Sequence, residues 1–254
     1  MSLKFCSLAS GSRGNCLYVA SPSTTIIIDA GISIKRVEEA FSKLGKNNVN
    51  LLITHTHSDH VSNLSAFVRK YSPSIYCFGG CYDKVKEMVM GAADINVFDG
   101  DFYVGDITVS PFRVSHDVPC VGYSFYNGGK KISVMTDLGV FTRSQAKMIE
   151  GSDALFIESN YDEEMLSRSQ KYSQSLKNRI ASKIGHLSNS DSAKASVFAA
   201  ASGCGAIMLG HLSQENNTPE LALSVTRKTL SDAGYSVKVS IALQDKLSSV
   251  MEVS

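Results

Sequence analysis

Residues 54–60 read THTHSDH. The chain has six histidines, and three of them fall with an aspartate inside the six positions 55–60. The stretch before it, VNLLIT, is an apolar run of strand length. The stretch after it, SDHVSNLSAFVRKY, places Leu64, Phe67, Val68 and Tyr71 on one helical face, with Ser58 as the expected N-cap. The histidines therefore sit on a strand-to-helix junction. A solvated polar turn is the plainer alternative, but ordinary packing has no need of such a cluster. At an extended turn His55 and His57 point the same way and can reach one ion. Asp59 and His60, at the helix start, can turn toward a second.

Working outward, LKFCSLA and CLYVA predict a strand pair around the GSRGN turn, and TTIIIDAG a buried strand ending at Asp29. SIKRVEEAFSKLG predicts a helix capped by Gly45. Further strands are expected at SIYCFG, INVFDG, FYVGDITVSPFRV, VGYSFYNGGKKISVMTD and DALFIES, with NGG as a hairpin signal. DSAKASVFAAAS, AIMLGH, PELALSVTRKTLSDAG and YSVKVSIAL then predict helix, strand, helix, strand. Many strands with helices in both halves suggest two packed sheets covered by helices outside. His116, Asp137, Glu158 and His211 all stand at or just after such strand ends, as His55 does. Five histidines and two aspartates (His55, His57, Asp59, His60, His116, Asp137, His211) suffice for two ions sharing a carboxylate.

The 254 residues suit one large domain or two small ones, and no linker or repeat divides them; a single domain over 1–254 is expected. Net charge is +1, so no global field points to nucleic acid or a membrane, and polyanion binding needs a local patch. The six cysteines are scattered, and buried idle thiols in a reducing compartment are the expectation. Cys77 and Cys81 enclose Phe-Gly-Gly, but no second pair follows to make a zinc site. The first fifteen residues have too short an apolar run for a signal peptide, and no stretch approaches the length of a membrane span. A cytoplasmic protein without membrane contact is expected.

THTHSDH after a buried strand, with IIIDAG before it, resembles the metallo-β-lactamase-fold hydrolases. Within them, ASGSRGN, IDAG, THTHSDH, SHDVPCVGYS, TDLG, IESNYDEEML, GHLSN and HLSQENN follow the order of the WalJ/YycJ family across residues 9–217. Thr56 departs from that pattern, where Glu is usual. The resemblance implies an α/β fold, the αββα four-layer sandwich. It implies one metal on His55, His57 and His116, another on Asp59, His60 and His211, and Asp137 bridging them. Zn²⁺, Mn²⁺ or Fe suits such a donor set. Asp29 would support the metal loop. Asp59 would also orient the nucleophile. His186 would serve as substrate contact or general acid, with Glu158 supporting it.

Two metal ions at such a site argue for hydrolysis of a phosphodiester or a carbonyl compound. The WalJ/YycJ resemblance implies DNA as substrate and 5′-to-3′ exonuclease action on duplex DNA. The segment 168–183, RSQKYSQSLKNRIASK, carries five basic residues and no acidic one. It reads either as a solvated helix face or as a rim where Lys171, Lys177 and Arg179 grip phosphates, with Tyr172 stacking on a base. Only 74 positions separate Asp137 from His211, too few for the inserted domain of RNase J-like nucleases. Hydrolysis of a small ester, thioester or cyclic phosphodiester, and metal-stabilised binding without turnover, stay open as alternatives.

Overall fold

The computed structural model describes residues 2–254. Six strands of the first sheet come early: β1 Leu3–Ala9, β2 Cys16–Ala20, β3 Thr25–Ile28, β4 Val49–Ile53, β5 Ser74–Phe78 and β6 Ile95–Phe98. The second sheet takes β7 Phe102–Val104, β8 Ile107–Val114, β9 Cys120–Asn127, β10 Lys130–Met135, β11 Ala154–Glu158, β12 Ala206–Gly210 and β13 Lys238–Ile241. The last strand, β14 Met251–Val253, returns to the first sheet. The strand orders are β14-β1-β2-β3-β4-β5-β6 and β13-β12-β11-β10-β9-β8-β7. The helices are α1 Ile34–Leu44, α2 Ser58–Val61, α3 Leu64–Tyr71, α4 Tyr82–Val89 and α5 Arg143–Ile149. They continue with α6 Glu163–Arg168, α7 Gln174–Ile180, α8 Asn189–Ala201 and α9 Pro219–Asp232.

The chain divides into two compact units. The first holds residues 2–111, 125–130 and 243–254; the second holds 112–124 and 131–242. In the first, β3 to β6 run parallel. Parallel strands are covered on both faces, which is why Ile26, Ile27, Ile28 and Leu51, Leu52, Ile53 are uninterrupted apolar runs with no exposure. Val37 and Phe41 of α1, Phe67 and Val68 of α3, and Val85 and Val89 of α4 pack in one core with Ile27, Leu51, Ile53 and Ile75. In the second unit β10 to β13 are parallel. Leu155, Ile157, Ile207 and Leu209 share a core with Ala195 and Ala199 of α8 and Ala222 and Leu230 of α9. Small residues on α8 leave room for the adjacent helix. Loops at the carboxyl ends of parallel strands are the usual place for ligand sites in α/β sheets, and these loops carry the residues singled out above.

The structure differs from the sequence-based expectation at several points. SDHVSNLSAFVRKY is two helices, not one, and its N-cap is His57, in extended conformation, rather than Ser58. The break at Ser62 and Asn63 has a cause. Asn63 N–H donates to Ala30 C=O (2.9 Å) and Ala30 N–H to His60 C=O (2.7 Å), so the chain is held against the exit of β3. FYVGDITVSPFRV is two strands around Gly105, whose φ of 58° makes the turn. The short helices α4, α5 and α6 and the strand β14 had no clear periodic signal.

Candidate metal centre

In the first unit, the site is built from the ends of β3 and β4. Asp29 follows β3 with φ 64°, a conformation non-glycine residues rarely adopt. Its carboxylate is buried and saturated. Oδ1 accepts from Thr54 N–H (2.8 Å); Oδ2 accepts from Thr54 Oγ1–H (2.7 Å) and from His60 Nδ1–H (2.7 Å). Thr54 Oγ1 in turn stands 3.0 Å from His55 Nδ1 and accepts its proton. One buried carboxylate thus sets the tautomer of two histidines, directly at His60 and through Thr54 at His55, leaving each Nε2 without the proton. The ring centroids of His55 and His57 lie 4.7 Å apart, and those of His55 and His60 4.1 Å.

The GSRGN turn closes this cluster, which the sequence did not announce. Asn15 N–H donates to Asp59 C=O (2.8 Å), and Gly31 N–H to Asn15 C=O (3.0 Å). The Asn15 Nδ2 lies 3.0 Å from Asp59 Oδ2 and 2.9 Å from His60 Nε2. Its Oδ1 accepts from Gly11 N–H (2.8 Å), which fixes the amide's orientation. Gly31 is needed because a Cβ there would sit 1.8 Å from Asp59 C=O, closer than any relaxation can accept without moving the loop. Gly31→Ala is expected to lower the melting temperature by roughly 10 °C, about 3 kcal/mol of overpacking in a domain of this size, measurable by thermal denaturation.

In the second unit, Asp137 and His211 follow β10 and β12 with φ of 56° and 53°. Glu158, the last residue of β11, is completely buried between them. Its Oε1 accepts from His186 Nδ1–H (2.6 Å) and His211 Nδ1–H (2.7 Å). Its Oε2 accepts the backbone N–H of Leu138 (3.0 Å) and Leu187 (3.2 Å). Asp137, Glu158, His186 and His211 offer ligand atoms all within 4.8 Å of one another. His116 Nδ1 bonds Gly185 C=O (3.2 Å), and its ring centroid lies 5.4 Å from that of His186. Behind His211, Asn160 Nδ2 donates to its C=O (2.7 Å), and Asn217 Nδ2 bonds the carbonyls of Ser159 and Asn160 and the side chain of Asn189. These asparagines tie IESN, GHLSN and HLSQENN together. Asn15, Asn160, Asn189 and Asn217 lay inside quoted motifs, but nothing in one sequence separates a buried asparagine from a turn former.

The electrostatics follow the contacts. Burial works against the charged ring of His186, yet the charge and hydrogen bond of Glu158 outweigh it, and its pKa lies above the ordinary imidazole value. Burial depresses His116 more than Asp137, Glu158 and Asp117 raise it, so this ring favours the neutral form, the one able to ligate a cation. Burial raises Glu158, but the two imidazoles overcome that and hold it below the usual carboxylate range. The donor set suits divalent cations. Imidazoles pinned at Nδ1 by carboxylates that backbone N–H groups hold in place are how proteins prepare such ligands. The thiols are not part of it. All six cysteines are buried, burial pushes Cys77 up to about 12, and no metal-ligating cluster among the described residues includes a cysteine.

The basic run 168–183 is not a bare cationic face. Arg168 pairs with Glu164 (2.6 Å), Lys171 with Glu215, and Arg179 with Asp117. Lys177 donates to Ser167 C=O (2.7 Å). Helix α7, which carries Lys177 and Arg179, buries none of its residues. No helix among the described residues is long and apolar enough to cross a membrane.

Residues 24–211 match the family model described as the Beta-lactamase superfamily domain. The chain belongs to the metallo-β-lactamase superfamily, whose fold is that of metal-dependent hydrolases. Within it, the chain belongs to the YycJ/WalJ family. It is 35% identical to the exodeoxyribonuclease YycJ of Bacillus anthracis, over 96% of each chain. It is 34% identical to the exodeoxyribonuclease WalJ of Streptococcus pneumoniae, over 95% of this chain and 93% of that one. Among solved structures, the metallo-β-lactamase-fold protein YhfI of Bacillus subtilis has a TM-score of 0.76 at 16% identity, covering both chains fully. Zn²⁺-bound PqqB of Methylobacterium extorquens has 0.75 at 15%, covering 97% of this chain and 99% of that one. The α/β fold class expected from the sequence is the one observed.

Proposed function

We propose that this protein is a dinuclear-metal-dependent phosphodiester hydrolase that degrades double-stranded DNA from the 5′ end. The observation supporting the metal reading is the shared pinning of His55, His60, His116 and His211 through Nδ1, which leaves the lone pair on each Nε2 to bind an ion, at His60 in exchange for its contact with Asn15 Nδ2. The DNA substrate rests on the two exodeoxyribonuclease relatives, matched along nearly the whole chain. One family model running through both units supports reading residues 1–254 as a single catalytic domain.

His55, His57 and His116 would hold one divalent ion and Asp59, His60 and His211 the other, with Asp137 shared; zinc, manganese or iron fits. Bound there, the ions supply Lewis-acid activation of water and of the phosphoryl oxygens. Asp59 orients the attacking water. The water gives one proton to solvent, a bond forms from its oxygen to phosphorus, and the bond from phosphorus to the leaving alkoxide breaks. His186, with Nδ1–H fixed on Glu158, gives the alkoxide the proton on Nε2. Lys171, Lys177 and Arg179 exchange their present partners for phosphate oxygens, at small cost because exposed pairs contribute about 1 kcal/mol or less. The buried reduced thiols support a cytoplasmic location.

The test is turnover by metal-loaded protein on duplex DNA beside a small chromogenic phosphodiester and a thioester. DNA degradation at least about tenfold more efficient in kcat/KM than either small substrate is expected, since remote binding energy is available only to the polymer. Thioester turnover with inert DNA would remove the nuclease reading. His186→Ala is expected to lower kcat on DNA by about 10²–10⁴ with little change in bound metal, read by single-turnover kinetics and elemental analysis.

A further inference from the structure

The cations of the run 168–183 are largely matched by carboxylates and carbonyls, but a second group in the first unit is not. Helix α1 presents Arg36, Ala40 and Lys43 at helical spacing along one face, with Glu39 beside them. They line a cavity of about 350 Å³ together with Asp245 and Lys246. Arg36 donates to Leu8 C=O (3.4 Å) and Gln244 C=O (3.2 Å) and stands 3.7 Å from Asp245. Asp245 also pairs with Arg13 (2.6 Å), in a contact whose two side chains are 62% and 59% exposed. Neither Lys43 nor Lys246 forms an ion pair among the described residues. Within this group Arg13, Arg36, Lys43 and Lys246 stand against Glu39 and Asp245, an excess of two positive charges.

This cluster is joined to the candidate metal loop. Arg13 N–H donates to Gln244 Oε1 (3.0 Å), and Gln244 Nε2 to Gly14 C=O (3.2 Å). Two residues on, Asn15 grips Asp59 and His60. Two residues span about 7 Å, so Arg13 starts next to the reacting groups. Arg36 and Lys43 lie seven residues apart on α1, about 10 Å along the axis. That length is too great for a single phosphate. It matches about three nucleotides of a strand rising 3.4 Å each.

We propose that Arg13, Arg36, Lys43 and Lys246 anchor the sugar-phosphate backbone of the nucleic acid beside the loop that carries Asp59 and His60. The proposal rests on the nuclease reading above and adds the place where the strand is held. The exposed Arg13–Asp245 pair is weak enough to be exchanged for a charge-assisted bond to phosphate.

The test is binding of a fluorescent duplex DNA with a cleavage-resistant phosphorothioate backbone to the full-length, metal-loaded protein, by anisotropy from roughly 50 to 200 mM salt. Lys43→Glu/Lys246→Glu is expected to weaken binding at least about tenfold at low salt and to flatten the log–log salt slope by about two. Arg13→Gln, which reverses no charge, is expected to flatten it by about one and serves if the double variant melts early. Wild-type binding with an unchanged slope in both variants overturns the anchor and leaves the nuclease reading intact. No wild-type binding to DNA at any salt overturns both.

Discussion

Glu158→Ala is expected to lower kcat on DNA by about 10²–10⁴, although this carboxylate need not touch substrate. The reason is its position. A single oxygen orients His211, a proposed metal ligand, and His186, the proposed acid, while the other holds the N–H groups of Leu138 and Leu187. Truncation leaves four donors without their acceptor in a fully buried place, at about 1–3 kcal/mol each where water cannot enter. The stability loss is therefore also large, and kcat must be read on protein that is still folded at the assay temperature. Glu158→Gln separates the roles. Its amide oxygen can still accept from the imidazoles but carries no charge, and its NH2 meets the Leu138 and Leu187 N–H groups, so part of the stability loss remains while metal content should be largely retained and kcat falls. If Glu158→Gln and Glu158→Ala both keep wild-type kcat, the shared orientation of His186 and His211 has no catalytic weight.

Two divalent ions per chain are expected on elemental analysis of the loaded protein, and His57→Ala/Asp59→Ala is expected to retain at most one. Each substitution removes a proposed ligand of a different ion. Asp59 also positions the water, so DNA degradation should drop by about 10³ or more. Chelation of the wild type should have the same effect and should lower the melting temperature, because ions that bind only the folded chain stabilise it by mass action. Readdition of Mn²⁺ or Zn²⁺ should restore both. A double variant that still holds two ions would show that the ligands lie elsewhere.

The strand-to-helix position of THTHSDH was legible because an apolar run with no exposure precedes it and a helical stripe follows. Asp137 and His211 could be singled out from their places after strands, and Asp29 from the IIIDAG motif. Their left-handed backbone was not, since no local signal in an aspartate or histidine marks a positive φ. The break in the 58–71 helix was illegible for a different reason: it depends on Ala30, far back in the chain. The same applies to charge. The 168–183 run reads as an unbalanced basic face, yet Asp117 and Glu215 come from distant segments to meet Arg179 and Lys171. Conversely Arg13, Arg36, Lys43 and Lys246 make no run in the sequence and become a cluster only where the turn after β1, helix α1 and the segment before β14 meet. Periodicity reports what a residue's neighbours in sequence are; charge balance and strain are set by partners in space.

The central claim is settled most directly by degradation of duplex DNA labelled separately at each 5′ and 3′ end, with purified protein and Mn²⁺. Early release of the 5′ label as single nucleotides, with the 3′ label retained on steadily shortening strands and no release by His57→Ala/Asp59→Ala, is the predicted result. Release of the 3′ label first, or intact DNA in the presence of two bound metals per chain, would contradict it.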